Sequence, residues 1–284
     1  MNILCFDIGG TSIKYTLFTQ DNIDNLTILS EKTSSNILEQ ILNIIEKYPS
    51  ISAVGISSAG VIDNKQGKVI YAGPTIPNYI GTELKKNVEA KFNVPCIVEN
   101  DVNSAAYGEY VYNKEKSPVF CLTVGTGVGG AIIINDEIYT GANFSACEIG
   151  YLPIKSSYFQ DISSTKYLVD LVSKKLNKKV DGLYIFEEAK KGSKLCQEAI
   201  EKMVDNLSYG IVNIIYMFNP NKIIIGGGIT AQKEILEPLI RKKVNEKLID
   251  KKFITQINLA KLENKAGLYG IYCLTRKEIQ WILI

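Results

Sequence analysis

The residues best suited to chemistry lie in Glu99-Asn100-Asp101-Val102-Asn103. The apolar, β-prone run Cys96-Ile97-Val98 leads into them, and the small residues Ser104-Ala105-Ala106 that follow suit a helix. That order sets a carboxylate at the carboxyl end of a strand, where ligands collect in open α/β sheets. Asp101 is therefore the candidate catalytic base, and an ordinary carboxylate pKa near 4 leaves it ionised at neutral pH. The competing reading of Asp101 is a plain helix N-cap. The chain has no histidine, so no step can use an imidazole.

Two glycine-rich turns flank this segment in sequence. The first is Asp7-Ile8-Gly9-Gly10-Thr11, between the apolar run 2–8 and the β-prone run Ser12–Phe18. The order is strand, glycine turn, strand, whereas a Rossmann or Walker loop leads into a helix. Such a turn offers the N–H groups of Gly9, Gly10 and Thr11 and a threonine hydroxyl to a phosphate. Asp7 at the strand end is the candidate for holding Mg²⁺, directly or through water, and Lys14 faces the same charge. Taken alone, these residues fit an ordinary glycine hairpin better. The second turn, Gly125-Thr126-Gly127-Val128-Gly129-Gly130, lies between a buried-strand pattern at 119–124 and a return strand at 131–135. This repetition implies two similar α/β halves with a nucleotide between them.

The elements that must position these groups follow from the pattern. Residues 35–48 carry an apolar stripe at helical spacing that ends at Pro49. Residues 51–57 read as a buried strand closed by the tight turn Ser58-Ala59-Gly60. The loop Gly73-Pro74-Thr75-Ile76-Pro77-Asn78-Tyr79 either lines a pocket or simply connects elements. A helix at 82–92, a strand at 94–98 and a helix from 103 to 112 complete the first half. The polar stretch 113–117 marks a domain boundary. Glu148 lies in the otherwise apolar segment 140–154 and needs a partner or a ligand there; sugar hydroxyls and backbone groups both qualify. Helices follow at 183–191 and 196–217, the latter broken by Asn219-Pro220-Asn221. A strand at 222–225 runs into Gly226-Gly227-Gly228-Ile229-Thr230, which opens the next helix. Bare glycine backbone there suits a ribose or adenine. After Ala266-Gly267-Leu268-Tyr269-Gly270, a last helix packs back across the domains.

Composition bounds the rest. The chain's 284 residues suggest two domains at about 100–200 residues each. With 46% hydrophobic and 22% charged residues and a net charge of +2, the chain reads as a globular protein without a nucleic-acid or membrane surface. Lys174-Lys175, Lys178-Lys179 and Lys251-Lys252 read as solvated faces. None of the six cysteines forms a C-x-x-C pair, which argues against a zinc knuckle or a redox pair; Cys5, Cys96 and Cys121 read as small buried hydrophobes. No leader pattern follows Met1, so the expectation is a soluble protein of the reducing cytoplasm.

Together the motifs resemble those of the superfamily that unites sugar kinases, actin and Hsp70, and within it the ROK family of sugar kinases and repressors. The pieces are Phe6-Asp7-Ile8-Gly9-Gly10-Thr11, Glu99-Asn100-Asp101-Val102-Asn103-Ser104-Ala105, Val124-Gly125-Thr126-Gly127-Val128-Gly129-Gly130, Glu148-Ile149-Gly150 and Ile225-Gly226-Gly227-Gly228. The resemblance implies two actin-like, ribonuclease H-like α/β domains with a nucleotide and sugar cleft between them. The expected boundaries are 1–113, joined by the C-terminal helix 271–284, and 114–270. ROK repressors carry an N-terminal helix-turn-helix; here the first strand begins at residue 3, which favours a kinase. ROK proteins usually follow Glu-x-Gly with a zinc-binding His and a cysteine-rich loop. Here Tyr151 takes the His position, and 154–162 lacks cysteine, so no zinc is expected. A further sugar-contacting Glu of the family is replaced, with Gln160 or Asp161 nearest.

The resemblance also implies roles. Asp101 takes the proton of a sugar 6-hydroxyl as it attacks the γ-phosphate of ATP. Asn100 and Glu148 hold ring hydroxyls, and Gly60, Asn78, Tyr151 and Gln160 line the sugar site. Gly9, Gly10, Thr11, Lys14, Gly125, Thr126 and Gly127 serve the phosphates, with Mg²⁺ near Asp7, and Gly227 and Gly228 flank the adenosine. The zinc-lacking pattern is similar to that of bacterial N-acetylmannosamine kinases; glucokinase and β-glucoside kinase are the rivals. A sugar-sensing protein that has lost catalysis is the reading from another class. A homodimer is expected from the family.

Overall fold

The computed structural model describes residues 1–19, 23, 26–73 and 76–282. Pro74 and Thr75 of the candidate pocket loop, and Leu283 and Ile284 of the expected helix 271–284, lie outside the described residues. The chain divides into two compact units. The first comprises Met1–Glu115, Thr140–Ala146 and Asn264–Ile284; the second comprises Lys116–Tyr139 and Cys147–Glu263.

The first unit contains β1 (Ile3–Ile8), β2 (Ser12–Phe18), β3 (Leu29–Lys32), α1 (Ile37–Ile45), β4 (Ala53–Ser58), β5 (Val61–Asp63), β6 (Lys68–Tyr71), α2 (Leu84–Phe92), β7 (Cys96–Asn100) and α3 (Asp101–Tyr112). The second contains β8 (Val119–Val124), β9 (Val128–Ile134), β10 (Glu137–Ile138), β11 (Pro153–Ile154), β12 (Ser157–Tyr158), α4 (Phe159–Ser163), α5 (Thr165–Leu176), α6 (Gly182–Lys190), α7 (Lys194–Phe218), β13 (Lys222–Gly226), α8 (Lys233–Asn245) and β14 (Gln256–Leu259). The chain then returns to the first unit with α9 (Ala266–Ile282).

Both units are mixed α/β and share one sheet plan. The first sheet runs β3-β2-β1-β4-β7 and the second β10-β9-β8-β13-β14. In each, a meander of three antiparallel strands continues into two parallel ones. Strand β1 is apolar almost throughout because both its faces are covered. Leu4, Phe6 and Ile8 pack with Ile41 and Ile44 of α1 and Val88 of α2, whereas Ile3 and Cys5 pack with Leu268, Ile271 and Tyr272 of α9. The period-2 alternation then places Asp7 on the α9 side, where that helix begins.

Helices α3 and α9 meet through glycines. A Cβ on Gly270 would lie 1.7 Å from the Ser104 carbonyl, and one on Gly108 would lie 2.5 Å from the Ala266 carbonyl. Backbone-on-backbone contact fixes α3, whose first residue is Asp101, against the helix that covers the sheet.

Several boundaries differ from the sequence expectation. Helix α3 starts at Asp101 rather than 103, because Asn100 caps it. Strand β9 starts at Val128, not 131: Gly129 and Gly130 pair with Thr123 and Leu122, so the turn shrinks to residues 125–127. The triple glycine opens a 3₁₀ turn, Gly228–Gln232, before α8. The β5–β6 hairpin and the exposed edge strand β3 had no counterpart in the reading, being short and without a clean alternation.

Gly270→Ala should destabilise the protein by about 1–3 kcal/mol, the usual cost of overpacking. Gly182→Ala in α6, whose Cβ would meet only Thr165 Cγ2 at an ordinary 3.6 Å, should be neutral or stabilising by up to about 1 kcal/mol. Denaturant melts of the two variants compare the effects directly; equal effects would refute the close α3–α9 contact.

Candidate active site

In the first unit, parallel pairing lays Asp7, Ser57 and Glu99 abreast on β1, β4 and β7, with Ile8, Ser58 and Asn100 in the next row. Asp101 follows directly, at the amino end of α3. The N-cap is Asn100, whose Oδ1 accepts from the N–H groups of Val102 at 2.8 Å and Asn103 at 3.0 Å. Its Nδ2 donates to the Gly60 carbonyl at 2.8 Å and to Asp101 Oδ1 at 3.0 Å. The Val102 N–H also reaches Asp101 Oδ1, at 2.9 Å. Capping, the competing role for Asp101, thus falls to its neighbour. The four hydrogen-bond positions of the Asn100 carboxamide are all filled by protein. A ring hydroxyl reaching Asn100, as the resemblance implies, would share or displace one of these bonds.

Glu99 received no separate role from sequence, yet it is 4% exposed and tightly held. Its Oε1 accepts from the Asn100 N–H at 2.8 Å and Asn103 Nδ2 at 3.0 Å, and its Oε2 from Asn64 Nδ2 at 2.8 Å. Burial raises its pKa above the ordinary carboxylate range, opposed by those three donors. Asn64 comes from the turn between β5 and β6, which the sequence reading passed over.

Around the first glycine turn, the Gly9 carbonyl accepts from Thr33 Oγ1 at 2.7 Å and the Thr11 carbonyl from the Thr33 N–H at 3.1 Å. These two carbonyls are tied down, and the Gly9 N–H, expected to face a phosphate, is instead bonded to the Ser12 carbonyl at 3.0 Å, which leaves the exposed Gly10 and Thr11. Asp7 accepts from Ser57 Oγ at 3.0 Å and is paired in register with Lys14. Burial raises the Asp7 pKa, while the Ser57 bond and the Lys14 charge pull it down. A Cβ on Gly267 would come within 3.0 Å of Asp7 Oδ1, so the carboxylate abuts the first turn of α9. Among the described residues no three His, Cys, Asp or Glu side chains gather as a metal cage. One carboxylate backed by a hydroxyl fits Mg²⁺ held through water on a nucleotide's phosphates. Gly60 sits beside Asn100, whereas Asn78 is exposed at φ +55° and lines a cavity of about 500 Å³ with Asn36, Tyr79, Thr82 and Asn87.

In the second unit, the Gly125 carbonyl accepts from the Thr165 N–H of α5 at 2.9 Å, and the Gly125 N–H closes the turn onto the Gly127 carbonyl at 3.0 Å. Thr123 occupies the place on β8 that Asp7 occupies on β1, so the second turn lacks the acidic partner of the first. Gly227, at φ +90°, lies on the Val124 backbone; a Cβ there would meet the Val124 carbonyl at 2.4 Å. That contact brings the adenosine-type glycines to the phosphate-type turn, and Gly228 faces open space. Cβ atoms on Gly127 and Gly150 would come within 2.8 and 3.1 Å of Gln160 Oε1. Gln160 therefore joins the turn to the Glu148-Ile149-Gly150 segment, while Asp161 is exposed.

Glu148 is exposed, not enclosed by apolar side chains as its sequence neighbours suggest, because the 3₁₀ turn Ile149–Tyr151 buries Ile149 and Gly150 instead. The protein packed beside it still raises its pKa. Tyr151 is 51% exposed and meets Tyr158 edge to face at 6.2 Å. The β11–β12 hairpin and α4 occupy the segment where the family's cysteine-rich loop would lie.

The raised Glu99 pKa means that the folded state holds this proton more tightly than the unfolded chain. The linked stability is full below the ordinary pKa of about 4.3 and is lost as pH rises through the folded value. Glu99→Gln removes the titration. The stability of wild type minus variant should therefore fall as pH rises above the ordinary carboxylate range in denaturation curves; a difference flat in pH would unlink Glu99 from folding.

Comparisons with known proteins agree with this layout. The ROK family model matches residues 3–278. An uncharacterised protein of Clostridium perfringens is 42% identical over 279 residues, covering 94% of this chain and 95% of that one. The ROK glucokinase of Streptomyces griseus, solved with glucose and AMPPNP, has a TM-score of 0.83 at 27% identity, covering 98% of this chain and 100% of that one. A Listeria monocytogenes protein proposed as an N-acetylmannosamine kinase has a TM-score of 0.88 at 26% identity, covering 98% and 100%. With its two α/β units on one sheet plan and the full set of motifs in order, the chain belongs to the ROK family.

Proposed function

We propose that this chain is an ATP-dependent sugar kinase that phosphorylates the 6-hydroxyl of a hexose, with N-acetylmannosamine the first-choice acceptor. The observation that carries the reading is Asp101 at the start of α3, its Oδ1 held by Asn100 Nδ2 and the Val102 N–H, on the sheet that also bears the Gly9-Gly10-Thr11 turn.

Phosphoryl transfer asks for position and charge neutralisation more than for covalent chemistry. The Asp101 carboxylate takes the hydroxyl proton as the sugar oxygen forms its bond to the γ-phosphorus. The bond from that phosphorus to the bridging oxygen breaks, and ADP leaves with the electron pair. Gly10 and Thr11 offer N–H groups to phosphate oxygens, as do Thr126 and Gly127. Mg²⁺, held near Asp7 when bound, supplies charge neutralisation to the phosphates. Gly227 and Gly228 leave bare backbone for the adenosine. Glu148, exposed and with its proton affinity raised, is placed to accept from ring hydroxyls.

The choice of acceptor rests on Tyr151 in place of the zinc-binding His and on the absence of cysteine from 154–162. Glucose is the rival acceptor, favoured by the likeness to the Streptomyces griseus glucokinase; a β-glucoside is the third. A sugar sensor without catalysis would have no need of a carboxylate oriented like that of Asp101. A cytoplasmic homodimer accompanies this reading.

ADP release with Mg-ATP, measured across N-acetylmannosamine, N-acetylglucosamine, glucose, mannose and cellobiose, should single out N-acetylmannosamine. A preference for another sugar would overturn the acceptor assignment, and no turnover in protein that binds sugar would favour the sensor. Asp101→Asn should lower kcat by at least about a hundredfold, the low end for losing a general base, with sugar binding within about twofold of wild type by calorimetry. Near-normal turnover would remove Asp101 from the mechanism.

A further inference from the structure

Tyr79 is 2% exposed although its neighbour Ile80 is 58% exposed and Asn78 is also exposed. Its hydroxyl lies 2.7 Å from Ser58 Oγ, which is fully buried at the end of β4. Ser58 Oγ also lies 3.0 Å from the Ala59 carbonyl, so the two hydroxyls and that carbonyl form one short chain of hydrogen bonds. Burial, with the Asp101 charge adding to it and the Ser58 bond opposing, keeps the phenol protonated well beyond its ordinary range.

Ser58 begins the turn Ser58-Ala59-Gly60, and each residue of that turn holds a different part of the site. The Ala59 N–H donates to the Ile8 carbonyl at 3.0 Å, at the end of the strand that enters the Gly9-Gly10-Thr11 turn. The Gly60 carbonyl receives Asn100 Nδ2 at 2.8 Å, and the other Nδ2 proton goes to Asp101 Oδ1. Gly60 has φ +103°, and a Cβ on it would meet the Tyr71 carbonyl at 2.4 Å. The direction of its carbonyl thus depends on a turn that only glycine can make and that Ser58 closes from the other side.

We propose that Tyr79 is a positioning residue for the base: through Ser58, the 58–60 turn and Asn100, it fixes the Asp101 carboxylate relative to the first glycine turn. This rests on the assignment of Asp101 as the base. In-line transfer is sensitive to the placement of the acceptor hydroxyl, and a misplacement of about 1 Å can cost on the order of a hundredfold in rate. A phenylalanine at 79 fills the same space and leaves Ser58 Oγ without its hydroxyl partner. The turn then loses one of its restraints, and the Asn100 carboxamide loses a fixed acceptor.

Steady-state kinetics on Tyr79→Phe, Ser58→Ala, Asn100→Ala, the Tyr79→Phe/Asn100→Ala pair and Asp101→Asn test this, with melting temperatures as the folding control. Tyr79→Phe should lower kcat about tenfold, the scale of one lost hydrogen bond, with both KM values within about twofold of wild type. Ser58→Ala should do the same, and it stands in if Tyr79→Phe folds poorly. The paired variant should be no slower than Asn100→Ala alone, because both act on one chain of contacts. An unchanged kcat, a loss confined to the sugar KM, or fully multiplicative effects in the pair would each overturn the proposal. If Asp101→Asn abolishes turnover and Tyr79→Phe does not slow it, this proposal alone fails. If Asp101→Asn retains turnover, the base assignment fails and this proposal falls with it.

Discussion

The Asn100 carboxamide is the contact on which the surroundings of Asp101 depend. One small side chain terminates β7, starts α3, donates to the Gly60 carbonyl and holds Asp101. Such an amide specifies geometry because each of its bonds has its own direction and an unmade one in a partly buried place is costly. Beneath it, Glu99 gathers three donors, two from its own segment and one, Asn64, from 35 positions away. Asp101 thus stands at a strand end whose supporting polar groups are satisfied by protein, so its orientation is set before any ligand arrives.

The two halves of the molecule repeat a plan and divide its chemistry. Each sheet presents a tight turn between its first two antiparallel strands, but only the first sheet carries an acid at that turn, Asp7, where the second has Thr123. The asymmetry leaves a carboxylate beside the first turn and only a hydroxyl and backbone groups beside the second. In the second half, Gly227 is indispensable for another reason: its backbone lies on that of Val124, which leaves no room for a side chain.

What could be read from the amino acids was what depends on neighbours in sequence. The two turns announce themselves by glycine spacing, the strands before them by unbroken apolar runs, and Asp101 by its place after such a run. The network around Asp101 could not be read in that way. Asn64 meets Glu99 across 35 positions and Tyr79 meets Ser58 across 21, and no periodicity marks either pair. Glu148 shows the opposite error: apolar neighbours suggested enclosure, yet a 3₁₀ turn buries those neighbours and leaves the carboxylate outside. Gly129 and Gly130 look like turn residues but are strand residues, and at Gly130 the missing side chain makes room for Cys147 and Ile149 rather than for a bend.

Helix α9 imposes an order on biosynthesis. It supplies Leu268, Ile271 and Tyr272 to a core whose other members include Ile3, Cys5 and Phe18, and Tyr272 stacks on Phe18 at 4.2 Å. The chain's first strand is made early and its cover last. At about 5–20 residues per second, the apolar inner face of the first sheet waits on the order of 10–50 s for that helix. The second unit, by contrast, is drawn wholly from residues 116–263 and holds its own core before α9 is translated. A chain cut short before residue 266 would keep α1 and α2 on Leu4, Phe6 and Ile8 but leave Ile3, Cys5 and Phe18 without their cover.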